Sequence, residues 1–141
     1  MTELRPHLLV VDDSRDFADT TVELLRLWGY EAEGHYCGAS ALAAVLRNRP
    51  TVILLDIGMS PMNGFVFAGH LREIPGCERT AVIAISGYTT EVCRERGCRL
   101  GIDHYLFKPA DPGVLRRMVG LLMVSHERVE AREFAAMLVD S

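Results

Sequence analysis

The 141-residue chain predicts an α/β domain built on a doubly wound, mostly parallel sheet, and three observations carry that prediction. Short runs rich in Val, Ile and Leu alternate with segments of helical periodicity, the pattern of successive βαβ units. Several of these runs are apolar at every position, as strands covered by helices on both faces must be. The runs also end in polar groups: Asp12 and Asp13 after His7-Leu8-Leu9-Val10-Val11, Asp56 after Val52-Ile53-Leu54-Leu55, Ser86 after Val82-Ile83-Ala84-Ile85, and Lys108 after His104-Tyr105-Leu106-Phe107. In a parallel sheet all of these groups fall at one end.

The elements follow in order. Strands are expected over 7–12, 30–35, 52–56, 81–86 and 103–107; the second, Tyr30-Glu31-Ala32-Glu33-Gly34-His35, alternates with charge and reads as an edge. The first helix begins near Ser14, turns Phe17, Thr21, Leu24, Leu25 and Trp28 to one face, and stops at Gly29, a residue suited to a left-handed cap. The second, about 38–48, directs Leu42, Val45 and Leu46 inward and ends before Pro50. A third starts at the N-cap residue Asn63, buries Phe65, Ala68 and Leu71, and ends before Pro75. The fourth, about 89–99, has only Val92, Cys93 and Leu100 to bury and is expected to be loosely held. Asp111 and Pro112 open a fifth helix through Val114, Leu115, Met118, Val119 and Leu122. The segment 126–139 is helical in pattern, with Val129, Phe134, Met137 and Leu138 as its apolar members, so the expected organisation is one domain over 1–125 and a C-terminal helical extension over 126–141.

Composition narrows the function. A 49% hydrophobic and 24% charged chain can bury a core, and a net charge of −4 gives no electrostatic case for nucleic-acid binding. No run approaches the roughly 18–20 apolar residues of a membrane span, and the N-terminus lacks the layout of a secretory signal, which points to the cytoplasm. Cys37, Cys77, Cys93 and Cys98 have neither CxxC nor zinc-ligand spacing and read as small apolar side chains.

The strand-end groups suggest one chemistry. Ligands of open parallel sheets bind beyond the carboxyl ends of the strands, where the winding reverses. Asp12, Asp13 and Asp56 crowded there repel one another, and a hard divalent cation such as Mg²⁺, which takes a few carboxylates together with phosphate oxygens, removes the conflict. Asp56, alone in its loop, can then act as a nucleophile toward phosphorus. Lys108 supplies a point charge for the phosphoryl oxygens and Ser86 a hydroxyl, with Gly87 leaving space beside it. Singly, each group has a plain structural role: a helix cap for Asp13 or Ser14, a turn for Asp56 or Ser86-Gly87, a strand terminator for Lys108-Pro109. Their joint occurrence at successive strand ends points to a phosphoryl-acceptor site.

The stretches Leu8-Leu9-Val10-Val11-Asp12-Asp13, Leu54-Leu55-Asp56-Ile57-Gly58-Met59 with Asn63-Gly64, Ala84-Ile85-Ser86-Gly87-Tyr88 and Gly101-Ile102-Asp103-His104-Tyr105-Leu106-Phe107-Lys108-Pro109 resemble, in this order, the receiver domain of bacterial two-component response regulators. The resemblance covers roughly residues 6–124. It implies a flavodoxin-like sheet in strand order 2-1-3-4-5 with five helices, and phosphorylation on Asp56 by a sensor histidine kinase or a histidine phosphotransfer protein. It also implies Mg²⁺ held by Asp13, Asp56 and the Gly58 backbone carbonyl, with Asp12 acting through a metal-bound water. Ser86 and Tyr105 would be the switch pair that alters the face made by the fourth helix, fifth strand and fifth helix, and the Lys108–Pro109 peptide would be cis. Such a domain is a phosphoacceptor and not an enzyme, beyond catalysing its own phosphorylation and dephosphorylation.

The chain departs from the family in places. Ser60 stands where Pro is usual and Pro61 follows, Asn63 replaces a frequent Asp, and Gly58 offers no side chain over the acceptor, while Tyr88 is positioned to lie across it and limit water access. A haloacid-dehalogenase-type phosphatase would carry its nucleophile on the first strand in an Asp-x-Asp pattern, which adjacent Asp12-Asp13 does not provide. A flavodoxin-like FMN carrier needs a Ser/Thr/Gly-rich loop where this chain is acidic.

No output domain is legible after the fifth helix, so the expectation is a receiver acting alone. The alternatives are a receiver that binds partners without phosphorylation and a receiver cut from a hybrid histidine kinase. Arg94, Arg96 and Arg99 with Arg116 and Arg117 suggest a basic docking face, or simply solvated helix surfaces. The segment 126–141 extends the fifth helix, folds back, or pairs with another copy, and a homodimer through it or through the face of the fourth helix, fifth strand and fifth helix is one possible assembly.

Overall fold

The computed structural model describes residues 7–87 and 91–140. Strands β1 (His7–Val11), β2 (Glu31–His35), β3 (Val52–Asp56), β4 (Ala81–Ser86) and β5 (Ile102–Phe107) alternate with helices α1 (Arg15–Leu27), α2 (Gly38–Arg47), α3 (Gly64–Glu73), α4 (Glu91–Arg99) and α5 (Pro112–Asp140). The strands form one parallel sheet in the order β2-β1-β3-β4-β5. The winding reverses at β1 and β3, which places the crevice for a ligand between the ends of these two strands.

Period-two alternation divides the apolar residues of the strands between two cores. Leu9, Val11, Ile53, Leu55, Val82 and Ala84 face Ala41, Ala44 and Val45 of α2 and Phe67, Ala68 and Leu71 of α3. Leu8, Val10, Val52, Leu54, Ile83 and Ile85 face Ala18, Val22 and Leu25 of α1 and Leu115, Val119 and Met123 of α5. β1 and β3 are buried at every position, which explains their lack of polar alternation. Each such Leu or Ile contributes about 1.5–3 kcal/mol by leaving water. β2, at the sheet edge, buries only Ala32.

Helix starts follow local chemistry. Ser14 accepts from the Phe17 N–H (3.4 Å), Asn63 from the Val66 N–H (3.0 Å), and Asp111 from the N–H groups of Gly113 and Val114 (2.8 and 3.1 Å). Gly29, with φ of 96°, turns the chain out of α1.

Three expected faces are rotated. In α1 the buried stripe runs through Ala18, Thr21, Val22 and Leu25, with Phe17, Leu24 and Trp28 at its margin. In α2, Leu46 is exposed and Ala41 and Ala44 take the inner positions, because small residues let the helix lie close on the sheet. In α5, Val114 faces outward and Met123 packs inward. The C-terminal helical extension expected over 126–141 continues α5, which runs as one 29-residue helix. No Gly or Pro occurs after Gly120 to stop it.

The end of the sheet where the strands begin is tied by arginines. Arg72 of α3 donates to the carbonyls of Leu100, Gly101 and Cys77, and Arg49 to those of Val45, Leu46 and Pro75.

Candidate functional site

Parallel strands of matched length bring their C-terminal ends to one level. Val11 pairs with Leu55, which precedes Asp56, and Asp56 pairs with Ile85, which precedes Ser86. The Lys108 N–H donates to the Ser86 carbonyl (2.9 Å), which fixes the end of β5 beside that of β4.

Asp12, Asp13 and Asp56 each direct one carboxylate oxygen to a common point, the three oxygens lying within 4.8 Å of one another. Their surroundings differ. Asp12 is 1% exposed; its Oδ1 accepts the Ser14 N–H (2.9 Å) and its Oδ2 lies 2.8 Å from Lys108 Nζ. That Oδ2 receives no hydrogen bond in ideal geometry, so its partner there is an ionic contact. Asp13 is exposed, and since Ser14 caps α1, its carboxylate is not spent on the helix.

Asp56 is 8% exposed, with Oδ1 accepting the Gly58 N–H (3.0 Å) and Oδ2 3.7 Å from Lys108 Nζ. Burial pushes its carboxyl up to about 6, helped by the negative charge of Asp12 and, less, of Asp13, and opposed by the Gly58 N–H and Lys108. Lys108 therefore neutralises the cluster only in part. The residues present fit a small hard cation: three carboxylates converge, one keeps a buried oxygen without a hydrogen bond, and Asp56 carries an unrelieved electrostatic cost.

Two residues shape the site without having been singled out for it. Gly64, at the start of α3, donates its N–H to the Ile57 carbonyl (2.9 Å), and a Cβ there would meet the Ile57 Cα at 2.7 Å and the Asp56 carbonyl at 2.9 Å. The glycine lets α3 pass directly beneath the Asp56 loop. Phe17 packs on Lys108, whose Nζ is 4.6 Å from the ring centroid, a cation–π contact made in addition to those with the acids. The helical spacing of Phe17 signalled packing and gave no hint of this contact.

Ser86 is half-buried at the end of β4, and a Cβ added at Gly87 would meet nothing within 4 Å, which leaves room beside the hydroxyl. Tyr105 is half-buried on the α4 side of β5 and donates its Oη to the Cys93 carbonyl (3.4 Å). The Lys108–Pro109 peptide is cis, as is Ser60–Pro61 in the loop that departs from the family pattern. Tyr88 lies outside the described residues.

Three of the five arginines lie over aromatic rings. Arg94 lies over the rings of Tyr105 and Phe107, Arg96 over Phe65 of α3, and Arg116 over Trp28 at the end of α1. Only Arg94 adjoins Tyr105 among these ring contacts. No helix among the described residues is long and apolar enough to cross a membrane.

Comparison with known proteins agrees with this geometry. The family model for the response regulator receiver domain matches residues 8–120. A 14.6 kDa protein from the sodA1 3′ region of Leptolyngbya boryana is 35% identical over 112 residues, covering 79% of this chain and 86% of that protein. The transcriptional regulatory protein PrrA of Mycobacterium tuberculosis is 35% identical over 108 residues, or 74% of this chain and 44% of that protein, so the chain spans less than half of that regulator. Among solved structures, the chemotaxis protein CheY4 of Vibrio cholerae superposes with a TM-score of 0.80 at 28% identity, covering 84% of this chain and 98% of that one.

Proposed function

The chain belongs to the response regulator receiver domain family, and on that premise we propose that it accepts a phosphoryl group on Asp56 from the phosphohistidine of a sensor kinase or phosphotransfer protein. The observation that carries this reading is the convergence of Asp12, Asp13 and Asp56 on one point with Lys108 between two of them. In the transfer, an Asp56 carboxylate oxygen forms a bond to phosphorus as the P–N bond of the donor breaks, and the released imidazole takes up a proton. Asp13, Asp56 and the Gly58 carbonyl would hold Mg²⁺, with Asp12 acting through water. Bound there, the cation would offset carboxylate repulsion and neutralise charge on the transferring group.

The remaining roles belong to side chains of this chain. The Gly58 N–H holds Asp56 Oδ1 and so orients the carboxylate. Lys108, now beside Asp12, is the mobile cation that can follow charge onto the phosphoryl oxygens. Ser86 donates its hydroxyl to the same group, and Tyr105 carries the change to the face of α4, β5 and α5, where a protein partner would read it. The setting is cytoplasmic, and the domain signals without turning over a substrate.

Incubation with acetyl phosphate and Mg²⁺, read by intact mass, tests the proposal. One added phosphoryl group that is lost in Asp56→Asn is the expected result. No addition, or addition that persists in Asp56→Asn, overturns it.

A further inference from the structure

Helix α5 is far longer than the sheet beneath it. Its 29 residues span about 43 Å at 1.5 Å per residue, whereas strands of five or six residues cover about 20 Å. Its inward stripe, Leu115, Val119 and Met123, is used by the core. Roughly 180° around the helix, at 100° per residue, lies a second apolar row, exposed to solvent. Val114 is 42% exposed, Leu121 65% and Val124 45%, and the same row continues at Ala135 and Leu138, which are also exposed.

The row keeps one repeat. Positions 114, 121, 128 and 135 recur every seven residues, and 117, 124, 131 and 138 fall three residues after each. The spacing is that of a coiled-coil seam held for about three and a half heptads, the length at which such a pattern becomes meaningful. Two of its members are arginines in the sequence, Arg117 and Arg128, and the other six are Val, Leu, Val, Ala, Ala and Leu. A seam with polar members costs stability and favours one register.

The repeat also indicates its occupant. A seam with heptad spacing fits a second helix bearing the same spacing, and an identical chain supplies one. Charge agrees: between 126 and 133 the sequence sets three glutamates against two arginines, so two copies brought side by side do not repel strongly. Glutamate stands at 127 and arginine at 132, opposite signs five residues apart, as the flanking positions of a parallel pair require. An isolated helical arm of this length is marginal in water, and pairing supplies the packing it needs.

We propose that the outward heptad row of α5, from Val114 to Leu138, is a self-association seam through which two copies of this chain pair in parallel and in register. The inference is independent of phosphorylation, and its test uses neither Mg²⁺ nor a phosphodonor. The modest seam makes the dimer concentration-dependent.

Sedimentation equilibrium of the full chain over a wide concentration range is expected to show a rise from one chain to two. The double variant Leu121→Glu/Val124→Glu, which alters only exposed positions, is expected to stay at one chain with the sheet domain still folded, and to lose only the helical signal of the arm that pairing supports. In a second measurement, Ala135→Cys is oxidised and peptides are mapped; a disulfide joining two copies of position 135 is expected for parallel, in-register helices. A chain that remains single at every concentration overturns the proposal, as does a dimer that survives the double variant. Failure of two 135 thiols to join, under conditions where cysteines placed at 117 and 135 do join, shows an antiparallel pair and overturns the parallel seam.

Discussion

The two ends of the sheet hold their charges in opposite ways. Where the strands begin, Arg72 spends its guanidinium on the carbonyls of Leu100, Gly101 and Cys77, and Arg49 does the same for α2 and the loop after α3. Where the strands finish, a single lysine faces a buried aspartate at 2.8 Å and a second at 3.7 Å, and Asp56 is left with its carboxyl raised to about 6. One end closes its loops with arginine-to-backbone hydrogen bonds, and at the other Asp56 keeps an electrostatic cost that a cation or a phosphoryl group can relieve. The fold can carry an unstable site because its opposite end is closed by hydrogen bonds to backbone.

The largest effect should come from the arginine end. Arg72→Ala removes bonds from four carbonyls, those of Leu100, Gly101, Cys77 and Glu78, three of them in part-buried contacts. A loss of about 2–5 kcal/mol in urea unfolding is expected. At low temperature, where the variant stays folded, phosphoryl acceptance should match the parent. A loss of under about 1 kcal/mol would mean that this end is not what holds the sheet.

Lys108→Ala acts at the other end and should cost less, about 1–3 kcal/mol in metal-free protein, because Asp12 is then a buried carboxylate without its cation. Saturating Mg²⁺ should restore most of that loss. An equal loss with and without Mg²⁺ would show that Lys108 stabilises by packing on Phe17.

Asp56→Asn should reverse the sign. A carboxyl raised to about 6 binds its proton more tightly folded than unfolded, so its destabilising effect grows as pH rises from about 4 through 6. The variant should be more stable than the parent by on the order of 1–2 kcal/mol at pH 7.5 in chelator, with the gain vanishing near pH 4. A gain that does not change with pH would assign the effect to packing and not to charge.

The two ends also differ in how legible they were in sequence. The acidic end is readable because its residues follow directly on apolar strands, and a parallel sheet converts that position into proximity: Asp12, Asp13, Asp56 and Lys108 meet as the strand ends require. The arginine end is not, because Arg72 finds partners 28 and 29 residues away and those partners are backbone carbonyls, which leave no trace in residue type. Helix phase was legible only in part. Leu46 and Val114 carry the right polarity for a core, but the depth at which α2 and α5 lie on the sheet depends on Ala41, Ala44 and Leu115 across the interface.

Between the ends lies a contact that neither periodicity nor motif shows, and it gives the smallest thermodynamic effect with a large conformational one. Gly97 is buried on α4, and a Cβ added there would collide with Tyr105 Oη and lie 3.1 Å from Cζ. In Gly97→Ala the flexible partner yields, so the ring leaves its place against α4 and gives up its bond to the Cys93 carbonyl. Replacing a mid-helix glycine gains about 1 kcal/mol, and exposing part of an aromatic ring costs about as much, so the net change in stability should stay within about 1 kcal/mol. Nuclear Overhauser contacts between the Tyr105 ring and α4 should disappear without Mg²⁺ or phosphodonor present, while phosphoryl acceptance persists. Retained ring contacts, or a loss above about 2 kcal/mol, would show that α4 moves in place of the ring. In that case the coupling of α4 to the acidic end would run through the helix itself, and Tyr105 would report its position without setting it.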